Sequence, residues 1–531
     1  LYLINPKRKY RFHWDLKEVC RIMNRKTAIH PLALPTIAAL TPDHYDIRIL
    51  DEEMDPIDFD RRPLPDIVGI TAVVPNVKRA YQIADTYRTM GVPVVMGGAQ
   101  VSFNVDETLA HCDAVVQGEA EGAWQRCLGD FEQGSLQKIY KRDTPFEFKS
   151  MPPPRWDLLD TSKVMALGVQ VSRGCPHTCD FCLVRNMFGR KQRYRAVDDV
   201  IAEIKSLPKK QISFIDDNLT GNKKYARELM EKLKPLKVWW MCQASIDVAF
   251  DEELLKLMAD AGCISILFGI ESLNPVALKE MNKKVNVVER YEEAIRRVHA
   301  VGINTVGSFI VGFDADTTEA FEQIFDFTVR NHISYIMLNV LTAYPGTDLY
   351  ERMKAIGRLN YQDPDLLNGI YPTMRYMNMS QTEMYTRYFE TLERMFDYEL
   401  VRRKAVPVLG NGAFHRFNAG EVGIRDKFVS VGQLLRMYLF TRNRAKRRLF
   451  LSLVKLGLTN RASMGVIVEF LLFVSSFNGY LQYTRDHRDE IMGKITANDL
   501  GPWRDDPRSK EEGAAPAAVA SLYHSGAAQA R

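Results

Sequence analysis

Ser172-Arg-Gly-Cys-Pro-His-Thr-Cys-Asp-Phe-Cys182 holds three of the chain's eight cysteines. Cys175, Cys179 and Cys182 are separated by three and then two residues, and they follow an apolar, strand-like run from Met165 to Val171. Soft thiolate ligands this close together favour zinc or an iron–sulfur cluster. Structural zinc wants four ligands in a closed tetrahedron, and no second cysteine pair follows. Two readings stand on these residues alone: zinc completed by a distant ligand, or a cluster with one open iron. The sequence on either side has to choose.

Downstream, strands and helices alternate. Strands are expected at Met165–Val171, Gln211–Ile215, Val238–Ala244, Ile264–Ile270, Thr305–Val311 and Tyr335–Leu341. Helical stretches at Ala196–Leu207, Lys223–Lys234, Glu252–Ala261, Val288–Val301 and Thr317–Asn331 separate them. Six units fall short of the eight that close a (β/α) barrel, so an open cleft is expected. Its strand ends are chemically rich: Asp216-Asp217-Asn218, Gln243, Gly269-Ile-Glu-Ser272, Gly312-Phe-Asp314 and Tyr344-Pro-Gly-Thr347. Any one of them also reads as a helix cap, since Asp, Asn and Ser serve that role.

Upstream lies a second α/β pattern. Apolar runs at Leu1–Asn5, Tyr45–Asp51, Asp66–Thr71, Val92–Gly98 and Ala114–Val116 flank a helical stretch at Val77–Met90. Near-continuous Val and Ile in such runs indicate a parallel sheet covered on both faces. Thr71, Gly97, Gly98 and Gly118 follow the strands, where open sheets bind ligands. No G-x-G-x-x-G opens the first helix, which argues against a nicotinamide dinucleotide. Residues 141–160, with Pro152-Pro-Pro154, read as a semi-rigid linker. Beyond about Gly369 only helices are expected. Ser380–Val401 reads as one long amphipathic helix, Arg436–Arg448 carries six basic residues and no acidic one, and Met464–Val474 is apolar apart from Glu469. That region reads as a helical cap with a solvated basic face, or as a surface that touches a membrane or admits a lipid-like substrate. Residues 505–531, rich in Ala, Ser and Gly, read as disordered.

Composition narrows the class. The chain is 531 residues long, 46% hydrophobic and 26% charged, with a net charge of +5, an ordinary globular balance that implies no nucleic-acid partner. Eight scattered and clustered cysteines do not form a disulfide framework. With no apolar run of about 20 residues, a cytoplasmic, at most membrane-associated, protein is expected.

A C-x3-C-x2-C loop opening a partial barrel resembles the radical S-adenosylmethionine superfamily, and Phe181 stands at the aromatic position usual before its third cysteine. The resemblance implies a [4Fe–4S] cluster on Cys175, Cys179 and Cys182, with S-adenosylmethionine on the fourth iron as the source of a 5′-deoxyadenosyl radical. It implies that Asp216 or Asp217 meets the methionine amino group, and that Gln243, Glu271 and Ser308 meet the ribose and carboxylate. The upstream unit, with D-I-V-G-I-T, V-V-M-G-G and V-V-Q-G-E-A-E at its strand ends, resembles the cobalamin-binding domain of class B members. Thr71, Gly97, Gly98, Gly118 and Glu119 are then expected to line the corrin and its nucleotide tail. D-x-H-x-x-G is missing, and His13, His30, His44 and His111 lack its context, so cobalt with no protein histidine beneath it is expected.

Within class B, Arg25–Ala39, Phe214–Tyr225 and Gly307–Asp314 look like the hopanoid C-methylase type. The expected fold is therefore α/β: a Rossmann-like cobalamin-binding domain (1–140), a linker (141–160), a partial (β/α)6 radical barrel (161–368) and a helical region (369–504). The activity this implies is methyl transfer to an unactivated carbon of a small-molecule or lipid-like substrate, with electrons from a protein such as a flavodoxin or ferredoxin. Alternatives are a cobalamin-dependent cyclase, ring-contraction or oxidation enzyme, and a non-catalytic cobalamin or cluster sensor.

Overall fold

The computed structural model describes residues 1–11, 15–360, 371–410, 424–459 and 464–505. The expected tail from 506 onward, the boundary near Gly369 and His13 lie outside them. Fifteen strands are described: β1 Tyr2–Asn5, β2 Thr27–Ile29, β3 Arg48–Asp51, β4 Val68–Thr71, β5 Val94–Gly97, β6 Ala114–Gln117, β7 Ile139–Lys141, β8 Val164–Val169, β9 Ser172–Arg173, β10 Arg193–Tyr194, β11 Gln211–Phe214, β12 Trp239–Ala244, β13 Cys263–Glu271, β14 Asn304–Val311 and β15 Tyr335–Val340.

The first sheet is all parallel, in the order β3-β1-β4-β5-β6-β7. Its chain order reverses between β1 and β4, the doubly wound switch point where a crevice opens at the strands' carboxyl ends. Val77–Thr89 covers one face because Val77, Ala80, Tyr81 and Ala84 recur at helical spacing and bury against Ile4, Val68 and Val94. Ala123–Glu132 covers the other, where Trp124, Cys127 and Leu128 meet Leu3, Val95 and Val116.

The second sheet is also parallel, β2-β8-β11-β12-β13-β14-β15. The six expected barrel strands are present with ends shifted by one or two residues. Their seventh neighbour was not anticipated: β2, inside the segment assigned to the first unit, pairs with β8 through Thr27↔Val164 and Ile29↔Ala166. Three residues carry too short a pattern to reveal their partner. The linker differs too. It is packed instead of extended, with Phe148 and Trp156 buried, and Arg155 N donates to Pro35 O at 3.0 Å.

The expected helix Ser380–Val401 is two helices, Gln381–Met395 and Tyr398–Gly410. Asp397 causes the break: its carboxylate accepts from Glu399 N and Leu400 N, both at 3.0 Å, and so caps a new helix. Met464–Asp486 has the length and hydropathy of a membrane span, yet 67% of its most apolar window is buried inside the protein. Phe470 and Phe473 pack edge-on against Tyr335 at the start of β15, with centroids at 5.7 and 5.2 Å. Phe477 stacks on Phe396 at 4.6 Å. This is a core helix that packs on the start of β15.

Glu469 is the one acidic residue in the apolar first half of that helix, and burial pushes its carboxyl up to about 7. A carboxyl raised from 4.5 to about 7 by folding contributes stability that is full below pH 4.5 and is lost as pH rises through 7. Glu469→Gln is therefore expected to raise the unfolding free energy near about pH 8.5 by roughly 1–3 kcal/mol given its partial exposure, seen as a higher thermal midpoint. Near about pH 5 it should change little. Melting curves at the two pH values test this, and equal gains at both would show that the charge is not the cause.

Candidate functional site

The cysteine loop leaves β8 and is held from five directions. Asp216, fully buried at the end of β11, accepts from Val171 N at 3.1 Å, from Ser172 Oγ at 2.7 Å and from Ser172 N. Burial raises its carboxyl to about 7 against these hydrogen bonds. From beyond β12, the Ser245 hydroxyl lies 3.0 Å from His177 Nε2 and accepts from Asn218 Nδ2 at 2.8 Å. From beyond β13, Asn282 Nδ2 donates to Thr178 Oγ1 at 2.5 Å. From beyond β15, Arg352 pairs with Asp180 at 2.7 Å and Asp348 with Arg185 at 2.7 Å. The fifth hold comes from the first unit, through Glu119 and Glu121 on Arg173.

The three thiols are free of disulfides, with Cys179 buried and Cys175 and Cys182 half-buried. Burial pushes Cys179 up to about 12 and Cys182 up to about 11, and each of these two thiols feels Cys175. Lys283 acts on all three from the opposite sign. It is ion-paired with Glu271, and although burial opposes its charge, Glu271 and Cys179 hold its ammonium above the usual value. Among the described residues no three His, Cys, Asp or Glu side chains converge on a single ion. Thiolates that each take a separate iron sit farther apart than ligands of one zinc. The donor set, three thiols with a neighbouring ammonium that favours thiolate, fits a cluster whose binding displaces the protons.

The residues expected to contact S-adenosylmethionine are not equivalent. Asp217 faces Cys175 and Cys182, and burial raises its carboxyl to about 6 against hydrogen bonding from Gly174 N. Asp216 instead spends its oxygens on the loop backbone. Gln243 is exposed at the end of β12, and Ser308 is half-buried on β14 in register with Gly269. Glu271 sits at a β13 irregularity with φ 63°, its carboxylate turned to Lys283. Phe181 packs on the barrel core.

All five residues expected around cobalamin line one cavity of about 410 Å³: Thr71, Gly97, Gly98, Gly118 and Glu119. It opens at the β1–β4 switch point, with Leu3 and Asn5 on its wall. Pro31, Leu32 and Ile37, from the stretch Arg25–Ala39, form another wall, and Gln170, Arg173 and Ile215 close it from the barrel side. Gly98 has φ 107°, and a Cβ there would lie 2.5 Å from Ala72 O, so only glycine keeps this floor flat. Glu121, 3% exposed, borders the cavity with Oε2 lacking any partner. An open backbone floor, apolar walls and one buried orphan acceptor suit a flat macrocycle fringed with amide donors. None of the cavity-lining residues described is a histidine. His30 donates from Nδ1 to Pro31 O at 2.9 Å and holds Nε2 3.2 Å from Asp51. His44 and His111 pair with Glu132 and Asp85.

The architecture agrees with that of relatives. The chain matches the models of the B12 binding domain over residues 19–128 and of the Radical SAM superfamily over residues 169–328. It is 33% identical over 361 residues to the bacteriochlorophyllide d C-12(1)-methyltransferase of Chlorobaculum tepidum, covering 65% of this chain and 77% of that protein. This chain is a cobalamin-dependent radical S-adenosylmethionine enzyme. The hopanoid C-2 methylase of Rhodopseudomonas palustris is 28% identical over 392 residues, with 71% and 74% covered. Among solved structures, the cobalamin-dependent radical enzyme OxsB with aqua-cobalamin bound shares the fold at TM-score 0.58 and 14% identity, over 94% of this chain and 84% of that one. The cofactors of the family, a [4Fe–4S] cluster, S-adenosylmethionine and cobalamin, are those for which the two sites are built.

Several residues at these sites escaped the sequence reading. Lys283 lies twelve residues beyond Glu271, and Arg173 lies in the cysteine stretch itself but finds its partners more than 50 residues away. Arg173 Nη1 is 2.9 Å from Glu119 and 2.8 Å from Glu121, and its guanidinium lies over Phe148 at 4.6 Å. Arg193, paired antiparallel with Arg173 across β9–β10, reaches the other Glu119 oxygen at 2.9 Å. Burial alone would raise the Glu119 carboxyl, but hydrogen bonds from Arg193, Phe146 N and Arg173 hold it low. Arg173→Met leaves two buried carboxylates short of a cation, a loss of about 3–5 kcal/mol where one partner of such a pair is removed. A lower unfolding midpoint with weaker cobalamin retention on gel filtration is expected; an unchanged midpoint would show that the network is hydrated and weak.

Proposed function

We propose that this enzyme transfers a methyl group to an unactivated sp3 carbon of a small-molecule or lipid-like substrate. The observation that carries the reading is a cavity at the expected cobalamin site that is closed from the barrel side by residues next to the cysteine loop. Ile215 and Arg173 line it beside Thr71, Gly97 and Gly98. Ile215 adjoins Asp216 and Asp217, and Asp217 faces the cluster thiols. The cavity thus abuts the strand end and the loop start that carry the residues expected at the cluster.

When bound, the cluster supplies the electron that cleaves S-adenosylmethionine, and methylcobalamin supplies the methyl group. The chain's own residues hold and shield these groups. Asp216 fixes the loop so that Cys175, Cys179 and Cys182 are presented together. Asp217, Gln243 and Ser308 offer polar contacts toward S-adenosylmethionine, with Phe181 as an apolar neighbour. Glu271 we read as acting through Lys283, which holds positive charge beside the thiolates. Thr71, Gly97, Gly98 and Gly118 support the macrocycle, while Glu119 ties its site to the barrel. We place the cobalamin unit at 1–140, except that residues 15–30 pack with the barrel. The linker is 141–160, the barrel 161–368 and the helical cap 369–504. Reducing equivalents come from a protein such as a flavodoxin or ferredoxin.

Anaerobic reconstitution followed by turnover should yield both 5′-deoxyadenosine and S-adenosylhomocysteine with a methylated product. Deoxyadenosine without S-adenosylhomocysteine, with cobalamin bound, would remove methylation and leave a cyclase or rearrangement. Cys179→Ala should reduce deoxyadenosine formation to background while the corrin absorption spectrum is retained; cleavage persisting after reconstitution would mean that the ligands are others.

A further inference from the structure

We infer that the helix Arg444–Thr459 and the turn before it form a docking surface for a bilayer that carries anionic lipid. Residues 427–468 contain nine Lys and Arg and no Asp or Glu. Set against a net charge of +5, this one segment leaves the remainder of the chain net negative. The positive charge is therefore local, which steers one face toward an anionic surface.

The helix is amphipathic in an unusual sense. Leu449, Phe450, Leu453 and Gly457 are buried. Phe450 stacks on Tyr438 at 5.9 Å, and Gly457 abuts Met464 and Ile467 of the core helix. The opposite face is exposed at Arg444, Arg448, Leu451, Lys455 and Leu458, spaced four, three, four and three residues apart, so they form one stripe along the axis. Leu451 is 53% exposed and Leu458 69%, and Phe440, in the turn that leads into the helix, is 79% exposed. Arg436, Arg442, Arg444 and Lys455 make no ion pair with any described residue.

Cations alone would suit any polyanion. Large apolar side chains set between them, with the other face already packed into the fold, favour a surface that takes both: headgroup phosphates for the arginines and lysine, and acyl chains for Leu451, Leu458 and Phe440. A solvated helix gains nothing from exposing three such residues in a stripe of cations. An acidic protein partner would use the charges but has less use for the apolar members. The surface is read independently of the reaction, so failure of methyl transfer leaves it standing.

Flotation of the full chain with phosphatidylcholine vesicles, with and without phosphatidylglycerol, tests this. The wild type should float only with anionic vesicles and should be released as salt rises. Arg444→Gln, Arg448→Gln and Lys455→Gln together should weaken partition about a hundredfold, at about fivefold per cation. Phe440→Ser, Leu451→Ser and Leu458→Ser together should weaken it as well. Circular dichroism controls for folding, and if the triple serine variant unfolds, Phe440→Ser alone carries the same test. No flotation at low salt overturns the proposal. So does a loss seen with the charge variants but not with the serine variants, which would assign the face to an acidic protein.

Discussion

Asp216 is the constraint on which the rest of the site depends. A buried carboxylate that accepts two backbone N–H groups and a hydroxyl fixes the chain where it turns from β8 into the cysteine loop. Without it, Val171 N and Ser172 N would be buried donors lacking partners, each costing about 1–3 kcal/mol. Three thiols on a loop have many arrangements, and holding one of them costs conformational entropy of about 1–2 kcal/mol per backbone residue. Asp216 anchors the start of the loop, while Ser245, Asn282, Arg352 and Glu119 act further along. Each anchor follows a different strand, so the half-barrel and the neighbouring sheet act together as a clamp around a segment with little hydrophobic content of its own.

Glu119, Glu121, Arg173 and Arg193 form the second constraint, set between two sheets. Removing four charges from water is expensive, and well-packed apolar residues in their place would often be as stable. What the charges add is direction. A guanidinium fork accepts carboxylates in few orientations, so the end of β6 and the first residues of the cysteine loop are fixed relative to one another as an apolar contact would not fix them. Gly346 makes a second contact between the units, where its missing side chain leaves room for Phe103 of the first. A polar lock and a tight apolar approach together hold the two units against one another.

Local signals were enough for much of this. The cysteine spacing, the strand runs of Val and Ile and the glycines after β4, β5 and β6 all act within a few residues, and they located the loop, both sheets and the cavity floor. The assignments that shifted depend on partners distant in sequence. Whether Asp216 or Asp217 faces the thiols depends on which carboxylate the β8 backbone claims. The sequence around Glu271 gives no sign that Lys283, twelve residues on, pairs with it. β2 has three residues and no periodicity to show that it joins β8, and Asp397 looks like any polar residue of an amphipathic helix until it caps the next one.

The helical cap follows from the open barrel. The seven-strand sheet of the barrel is open, and Tyr335 at the start of its edge strand β15 needs a cover of its own. Met464–Asp486 covers it with Phe470 and Phe473, which is why a helix apolar enough for a membrane is buried in protein. A helix so apolar must itself be covered, and Arg444–Thr459 supplies part of the cover with Leu449, Phe450 and Leu453. Covering a core helix requires only one face. The other is left free of that duty, and on it the sequence places cations and leucines at helical spacing instead of the mixed charges found elsewhere on the surface. The two faces of this one helix therefore answer to different demands, one to the barrel and one to the medium outside it.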